Sequence, residues 1–102
     1  EYVNKVYDYT ADFPKEELYG LTSQIRRASL SVVLNYIEGY ARQRKNVFRN
    51  FLDISYGSLK ESKYLVYFSF TRKYITEKAY RELIDLTEQI GKMIWGITSK
   101  MK

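Results

Sequence analysis

The sequence predicts an all-α protein, an antiparallel up-down-up-down four-helix bundle formed by a single domain of residues 1–102. Apolar residues recur three and four residues apart over long stretches, which is the period of an amphipathic helix. No stretch alternates with the period of two that is typical of strands. The segments between the periodic stretches are short, so consecutive helices are expected to run antiparallel. A chain of 102 residues is large enough for one modest core.

Two helices are predicted in the first half of the chain. The first runs from about residue 1 to residue 11 and ends before Pro14, because the residue before a proline is pushed out of the helical region. The second runs from Pro14 to about Arg42, with an irregularity near Gly20. One seam of this second helix is expected to face the core: Leu21, Ile25, Ala28, Val32, Asn35 and Gly39.

A second apolar strip lies beside that seam and consists of Leu30, Val33, Leu34 and Ile37. A helix that is apolar on most of its circumference is usually buried on both sides. In so short a chain, the other helices have enough surface to cover only part of it. The strip therefore predicts self-association, and packing within the single chain is the alternative.

The second half of the chain predicts two further helices. Asn46 is the expected N-cap of the third helix, which ends between residues 71 and 75. Gly57 costs about 1 kcal/mol relative to Ala in a helix interior, and we interpret it as a point of close approach by a neighbouring helix. Thr76 is expected to cap the fourth helix. Apolar or small residues form its seam: Tyr80, Leu83, Thr87, Ile90, Ile94, Ile97 and Met101.

The composition excludes most catalytic chemistry. The chain has no Cys and no His, which removes disulfides, thiolate ligands and the commonest general base and zinc ligand. It has no glycine-rich phosphate loop, and the carboxylate-bridged metal sites of helical bundles need His. We therefore expect no enzyme, no catalytic residue, no metal and no cofactor. The absence of a long apolar run favours a cytoplasmic protein without a membrane partner. Since the first residue is Glu1 and not Met, we expect a few residues to precede it.

Positive charge is concentrated in one part of the chain. The formal net charge is +5, and the stretch from residue 24 to residue 49 contains six basic residues and one acid, which also gives +5. This favours an anionic partner, chiefly RNA or DNA, whereas the alternative is ordinary charge imbalance in a solvated turn. The candidate nucleic-acid-binding residues are Arg26, Arg27, Arg42, Arg44, Lys45 and Arg49.

Some of these basic residues have an alternative structural role. Arg26 and Arg27 point about 100° apart on one helix, so one of them is expected to face a neighbouring helix and pair with Glu61. Glu38 is expected to pair with Arg42, four residues later.

Aromatic residues make up 17% of the chain, and base stacking is one use for them. A core or a subunit interface is the interpretation that we favour. The residues concerned are Tyr36, Tyr40, Tyr64, Tyr67, Phe68 and Phe70.

Several short motifs together resemble a known family. They are LTSQIRRA at 21–28, Asn35 followed by Glu38 and Gly39, FLDISYGSLKE at 51–61, and Tyr74-Ile75 before a capped last helix. In this order and spacing they resemble the four-helix bundle proteins encoded within intervening sequences of bacterial large-subunit ribosomal RNA genes. The similarity covers nearly the whole chain. We take five residues as structural: Asn35, Glu38, Gly39, Gly57 and Glu61.

The resemblance carries implications for assembly and partners. The fold is shared with the accessory variability protein of diversity-generating retroelements, which forms a pentameric barrel, binds nucleic acid and associates with a reverse transcriptase. The resemblance therefore implies a homopentamer, contact of the six basic residues with RNA or DNA, and association with a reverse transcriptase or another protein. The first hypothesis is thus a non-enzymatic, ring-shaped nucleic-acid-binding oligomer. The second is a structural or protein-interaction homo-oligomer with no nucleic-acid role.

Overall fold

The computed structural model describes residues 1–101, so that Lys102, the last residue of the predicted domain, lies outside the described range. It contains four α-helices: α1 (Tyr2–Thr10), α2 (Ser23–Ala41), α3 (Lys45–Thr71) and α4 (Glu77–Ser99). No strand occurs in residues 1–101. The predicted all-α fold with four helices is confirmed.

The helices pack in an antiparallel arrangement. α1 packs against α2 and α4, α2 packs against α3, and α3 packs against α4. The longest dimension is 43 Å, close to the ~40 Å length expected of a helix with the 27 residues of α3. The nine residues of α1 pack on one part of the surface between α2 and α4.

The core consists of two clusters along this axis. In the first, Tyr2 and Val6 of α1 meet α2, α3 and α4. The second lies nearer the α2–α3 turn and is formed by Val32, Leu52, Leu59 and Ile94. Burial of each large apolar side chain contributes about 1.5–3 kcal/mol relative to its exposure. The predicted seam of α2 faces this core, with Asn35 half-buried and its other members buried.

The irregularity expected near Gly20 is present. Gly20 has φ −112° and ψ −107°, outside the helical region. A 3₁₀ turn (Lys15–Glu17) and a π-helical turn (Leu18–Thr22) therefore precede α2. The Glu17 carboxylate accepts a hydrogen bond from the Leu21 backbone N–H at 3.3 Å, and the Tyr74 hydroxyl donates to the same carboxylate at 3.0 Å.

One predicted helix cap is wrong and the other is confirmed. α3 begins at Lys45, with Arg44 in the N-cap position and no side-chain capping bond. Asn46 lies in the first turn of the helix instead. Gln43 adopts φ 60° and reverses the chain direction, so that the helix begins earlier than predicted. Thr76 caps α4 as predicted, since its hydroxyl accepts the Ala79 N–H at 3.1 Å.

The close helix approach expected at Gly57 is wrong within this chain. A Cβ atom at Gly57 would have no described atom within 4 Å. A Cβ atom at Gly39 would lie 2.6 Å from the Cβ of Phe51 and 3.0 Å from a ring carbon of Phe48. The close approach between α2 and α3 is therefore at Gly39.

Small serines of α3 lie at the helix contacts. Ser55 donates a hydrogen bond to the Val32 carbonyl of α2 at 2.6 Å, and Ser62 accepts one from the Tyr2 hydroxyl of α1 at 2.9 Å. Burial raises the pKa of Tyr2 to about 12. The neutral hydroxyl therefore links α1 to α3 throughout the physiological pH range.

Candidate nucleic-acid interface

Four of the predicted basic residues lie at one end of the bundle, which we call the basic end: Arg42, Arg44, Lys45 and Arg49. All four are exposed. The left-handed Gln43 and the extended Arg44 make a tight turn between α2 and α3. This turn places the end of α2 beside the first turns of α3, so the four cations lie at the same end of the bundle.

Three of the four cations at the basic end lack an acidic partner. Arg42 pairs with Glu38 as predicted, and its guanidinium lies 5.7 Å from the centre of the Phe51 ring. Both members of this pair are about half exposed, so it contributes only a few tenths of a kcal/mol. Arg44, Lys45 and Arg49 form no ion pair with a carboxylate of residues 1–101. These three side chains are available to an external anion.

Arg26 joins two helices of the bundle. Its Nε donates a hydrogen bond to the Thr10 hydroxyl at 2.8 Å. Its guanidinium lies 4.6 Å from the centre of the Tyr7 ring, and such a cation–π contact contributes about 0.5–2 kcal/mol. Arg26 is half-buried, so contact with a phosphate requires it to give up these partners on α1.

Arg27 has the structural partner considered in the sequence analysis. It is exposed and forms an ion pair with Glu61 of α3, and it also donates a hydrogen bond to the Gln24 side chain. Arg26 and Arg42 are 16 positions apart on one continuous helix, which corresponds to about 24 Å along the axis. The structure therefore does not bring the six predicted residues together, and the other four form the basic end.

The second apolar strip of α2 is largely exposed. We call the surface formed by Leu30, Val33, Leu34 and Ile37 the α2 strip. Leu34 is 57% exposed, Val33 and Ile37 are similarly exposed, and Leu30 is half-buried. Packing within residues 1–101 does not account for three of its four residues.

The sequence of the chain matches a family model over residues 1–96, described as 23S rRNA-intervening sequence protein. The chain belongs to this family. No protein of curated function matches the chain.

The fold of this family member is also found in a solved structure from Bacteroides thetaiotaomicron VPI-5482, described as a protein with unknown function from the S23 ribosomal protein family. The two are 22% identical, and their TM-score is 0.82. The match covers 94% of this chain and 87% of the other. At this identity the likeness shows the shared fold.

The family motifs occupy contacts between α2 and α3. The Asn35 amide donates hydrogen bonds to the Ser31 carbonyl at 2.8 Å and to the Ser31 hydroxyl at 2.9 Å. The Ser31 hydroxyl in turn lies 2.7 Å from the Ser58 hydroxyl of α3. Together with the close approach at Gly39 and the pair formed by Glu61, these contacts fix α2 against α3. Gly57 makes no such contact.

Most of the aromatic residues considered above contact one another. The rings of Tyr36 and Tyr40 are stacked with centres 6.2 Å apart, and both meet the edge of Phe48. The Phe70 and Tyr80 rings are stacked at 4.5 Å across α3 and α4. Only Phe70 of the six is half-buried, and the other five are exposed. A core role is therefore wrong for those five, and a subunit interface for them stays a prediction.

A second group of basic and aromatic residues lies between α3 and α4, and the sequence analysis missed it. An open groove of about 260 Å³ has Tyr56, Lys60 and Lys63 on its α3 side and Lys92 and Trp95 on its α4 side. We call it the α3–α4 groove. The sequence did contain a signal, because the spacing within the α3 group and within the α4 group places each group on one face of its helix. The two groups are about thirty residues apart in the chain, so the sequence does not indicate that they meet.

Two features are absent from the described residues. No group of three or more acidic residues among residues 1–101 is arranged to hold a metal ion. In the same range, no helix is both long enough and apolar enough to cross a membrane.

Proposed function

We propose that this protein is a non-enzymatic nucleic-acid-binding helical bundle that acts as a homo-oligomer and contacts phosphates through the basic end. The observation that carries this proposal is that Arg44, Lys45 and Arg49 lie together at one end with no acidic partner among residues 1–101. Three neighbouring exposed cations attract a polyanion and release its counterions on binding.

Self-association is the second part of the proposal. The α2 strip exposes apolar surface that a second copy of the chain would bury. A single basic end supports weak binding, whereas several copies in one assembly add their phosphate contacts on the same strand. A homopentamer is the assembly that the family resemblance implies, and association with a reverse transcriptase stays a prediction.

The alternative function is a structural or protein-interaction homo-oligomer with no nucleic-acid role. The α2 strip favours it as well, since an apolar interface is sufficient for that function. The salt dependence of binding distinguishes the two functions. Binding to phosphates weakens steeply as the salt concentration rises, whereas an apolar contact does not weaken.

The first test removes three charges from the basic end. The variant Arg44→Gln, Lys45→Gln, Arg49→Gln is expected to bind single-stranded RNA and DNA more weakly than the wild-type protein. The slope of log K against log salt is expected to fall by about 2, because each lost phosphate contact on a single strand contributes ~0.7. Fluorescence anisotropy of a labelled oligonucleotide, measured over a series of salt concentrations, gives both quantities.

A matched control removes the same charge from the opposite end. The variant Lys15→Gln, Lys73→Gln, Lys78→Gln changes three exposed residues near the start of the second helical segment and the α3–α4 turn. It is expected to keep nearly the wild-type slope. Equal losses in the two variants would show that only net charge matters, which contradicts a localised interface at the basic end.

A further inference from the structure

Trp95 is the most unusual residue of the α3–α4 groove. Tryptophan is normally among the more buried residues, but Trp95 is 69% exposed. Tyr56, on the α3 side of the groove, is also exposed. The groove therefore offers two aromatic rings to an external molecule.

Gly91 lines the groove between α3 and α4. A Cβ atom at this position would lie 3.6 Å from a methyl carbon of Leu59 and 4.0 Å from a ring carbon of Tyr56. Gly91 precedes Trp95 by four residues, so the two lie on the same face of α4 in adjacent turns. The distances to Leu59 and Tyr56 are ordinary van der Waals distances, so a methyl group at Gly91 would be accommodated and would occupy part of the groove.

The charges around the groove are mostly positive. Lys63 pairs with Glu88, and this pair lowers the pKa of the Glu88 carboxyl. The Lys60 ammonium lies 5.2 Å from the centre of the Tyr56 ring. Neither Lys60 nor Lys92 forms an ion pair with residues 1–101. Two ammonium groups beside exposed rings match a nucleobase and its phosphates.

One residue of the basic end, Arg49, lies on the same face of α3 as the groove. Arg49, Tyr56, Lys60 and Lys63 follow one another at spacings of seven, four and three residues, which places them on one side of the helix. Asp53 lies on the same side of α3, four residues after Arg49 and three before Tyr56, so one carboxylate separates Arg49 from the groove. Arg49 and Lys60 are 11 positions apart, or about 16 Å along the axis. A few nucleotides of extended strand span this distance.

We propose that the α3–α4 groove binds an unpaired base of single-stranded nucleic acid, stacked on Trp95, with the flanking phosphates at Lys60 and Lys92. This inference rests on the proposed function and specifies which form of nucleic acid the protein takes. A duplex presents phosphates but keeps the faces of its bases stacked inside, so it cannot use the exposed rings. An acidic protein would satisfy the lysines without a planar group for Trp95.

Trp95 provides its own readout because it is the only tryptophan in the chain. Titration of the protein with a short oligouridylate is expected to quench the tryptophan fluorescence and to saturate in parallel with the anisotropy of a labelled oligonucleotide. A duplex of the same length and polyglutamate are expected to leave the fluorescence nearly unchanged. Quenching by either of them to the same extent would overturn the proposal.

Two groove variants test the stacking and the charges separately. Trp95→Ala is expected to weaken oligouridylate binding about tenfold, the usual effect of removing one stacking ring. The double variant Lys60→Gln, Lys92→Gln is expected to lower the salt slope by about 1.4. Tyr19→Ala removes a ring that is 94% exposed outside the groove, and it is expected to leave the affinity unchanged. Circular dichroism checks that each variant is folded.

The outcomes distinguish this inference from the proposed function. If oligouridylate binding depends on Arg44, Lys45 and Arg49 but Trp95→Ala has no effect, the groove proposal is wrong and the basic end stands. If oligouridylate does not bind at low salt, both are wrong. If the basic-end variant binds more weakly but still quenches Trp95 fully at saturation, both are supported.

Discussion

Replacement of Leu52 by Ala is expected to lower the free energy of unfolding by about 2–5 kcal/mol. Leu52 is completely buried in the core cluster with Val32, Leu59 and Ile94. The substitution removes apolar contacts with all of them and leaves a cavity between α2, α3 and α4. Since a domain is stable by only about 5–15 kcal/mol, the loss is a large part of the total. Urea unfolding at one fixed protein concentration measures it, because self-association also adds stability.

Ile54→Ala is the matched control on the same helix. Ile54 is 51% exposed, and its replacement by Ala is expected to change the free energy of unfolding by no more than about 0.5 kcal/mol. If both variants lost the same free energy, the position of the core between α2, α3 and α4 would be contradicted.

Gly39→Ala is expected to destabilise the protein by about 1–3 kcal/mol. The new Cβ atom would lie 2.6 Å from the Cβ of Phe51, which is fixed to the backbone of α3. The two helices must therefore move apart, and the contacts near the basic end loosen. This cost exceeds the gain of up to about 1 kcal/mol that Gly→Ala gives in a helix interior. Thermal and urea unfolding both measure the difference.

Gly57→Ala is expected to have the opposite sign. A Cβ atom at Gly57 meets open space within this chain, so the substitution gains helix propensity, by up to about 1 kcal/mol, without a clash. The free energies of unfolding of the two glycine variants are compared on dilute protein, where contacts between copies of the chain add least to stability. Destabilisation by Gly57→Ala as large as that by Gly39→Ala would contradict the helix packing described above.

Features encoded locally in the sequence were predictable. The seam of α2 follows from apolar spacing, and the irregularity at Gly20 follows from the residue itself. The Thr76 cap needs only a hydroxyl before a helix with an acid in its first turn, and it forms as expected. The α2–α3 turn could be recognised from its charge, and its four cations lie exposed at one end of the bundle.

Features that depend on how the helices cross could not be read from the sequence. Gly39 and Gly57 both lie inside helices, but only the packing decides which of them meets a neighbour. Asn46 is a good capping residue, yet the left-handed Gln43 starts the helix earlier. Arg26 lies among the basic residues of the sequence, but in the folded chain its guanidinium contacts the Tyr7 ring of α1.

The same limit applies to the α3–α4 groove. Its lysines and rings come from two helices that meet only in the folded chain. On each helix alone they look like an ordinary solvated face, since Lys60 and Lys63 are one turn apart and so are Lys92 and Trp95. The groove becomes visible only when α3 and α4 are packed together.

The central claim is that an oligomer held together by apolar contacts binds nucleic acid through charge. Light scattering after size-exclusion chromatography, in low and high salt and with and without single-stranded RNA, tests it most directly. The account predicts an oligomer whose mass is the same at both salt concentrations and which gains mass with RNA only in low salt. A monomer that ignores RNA at both salt concentrations would contradict it.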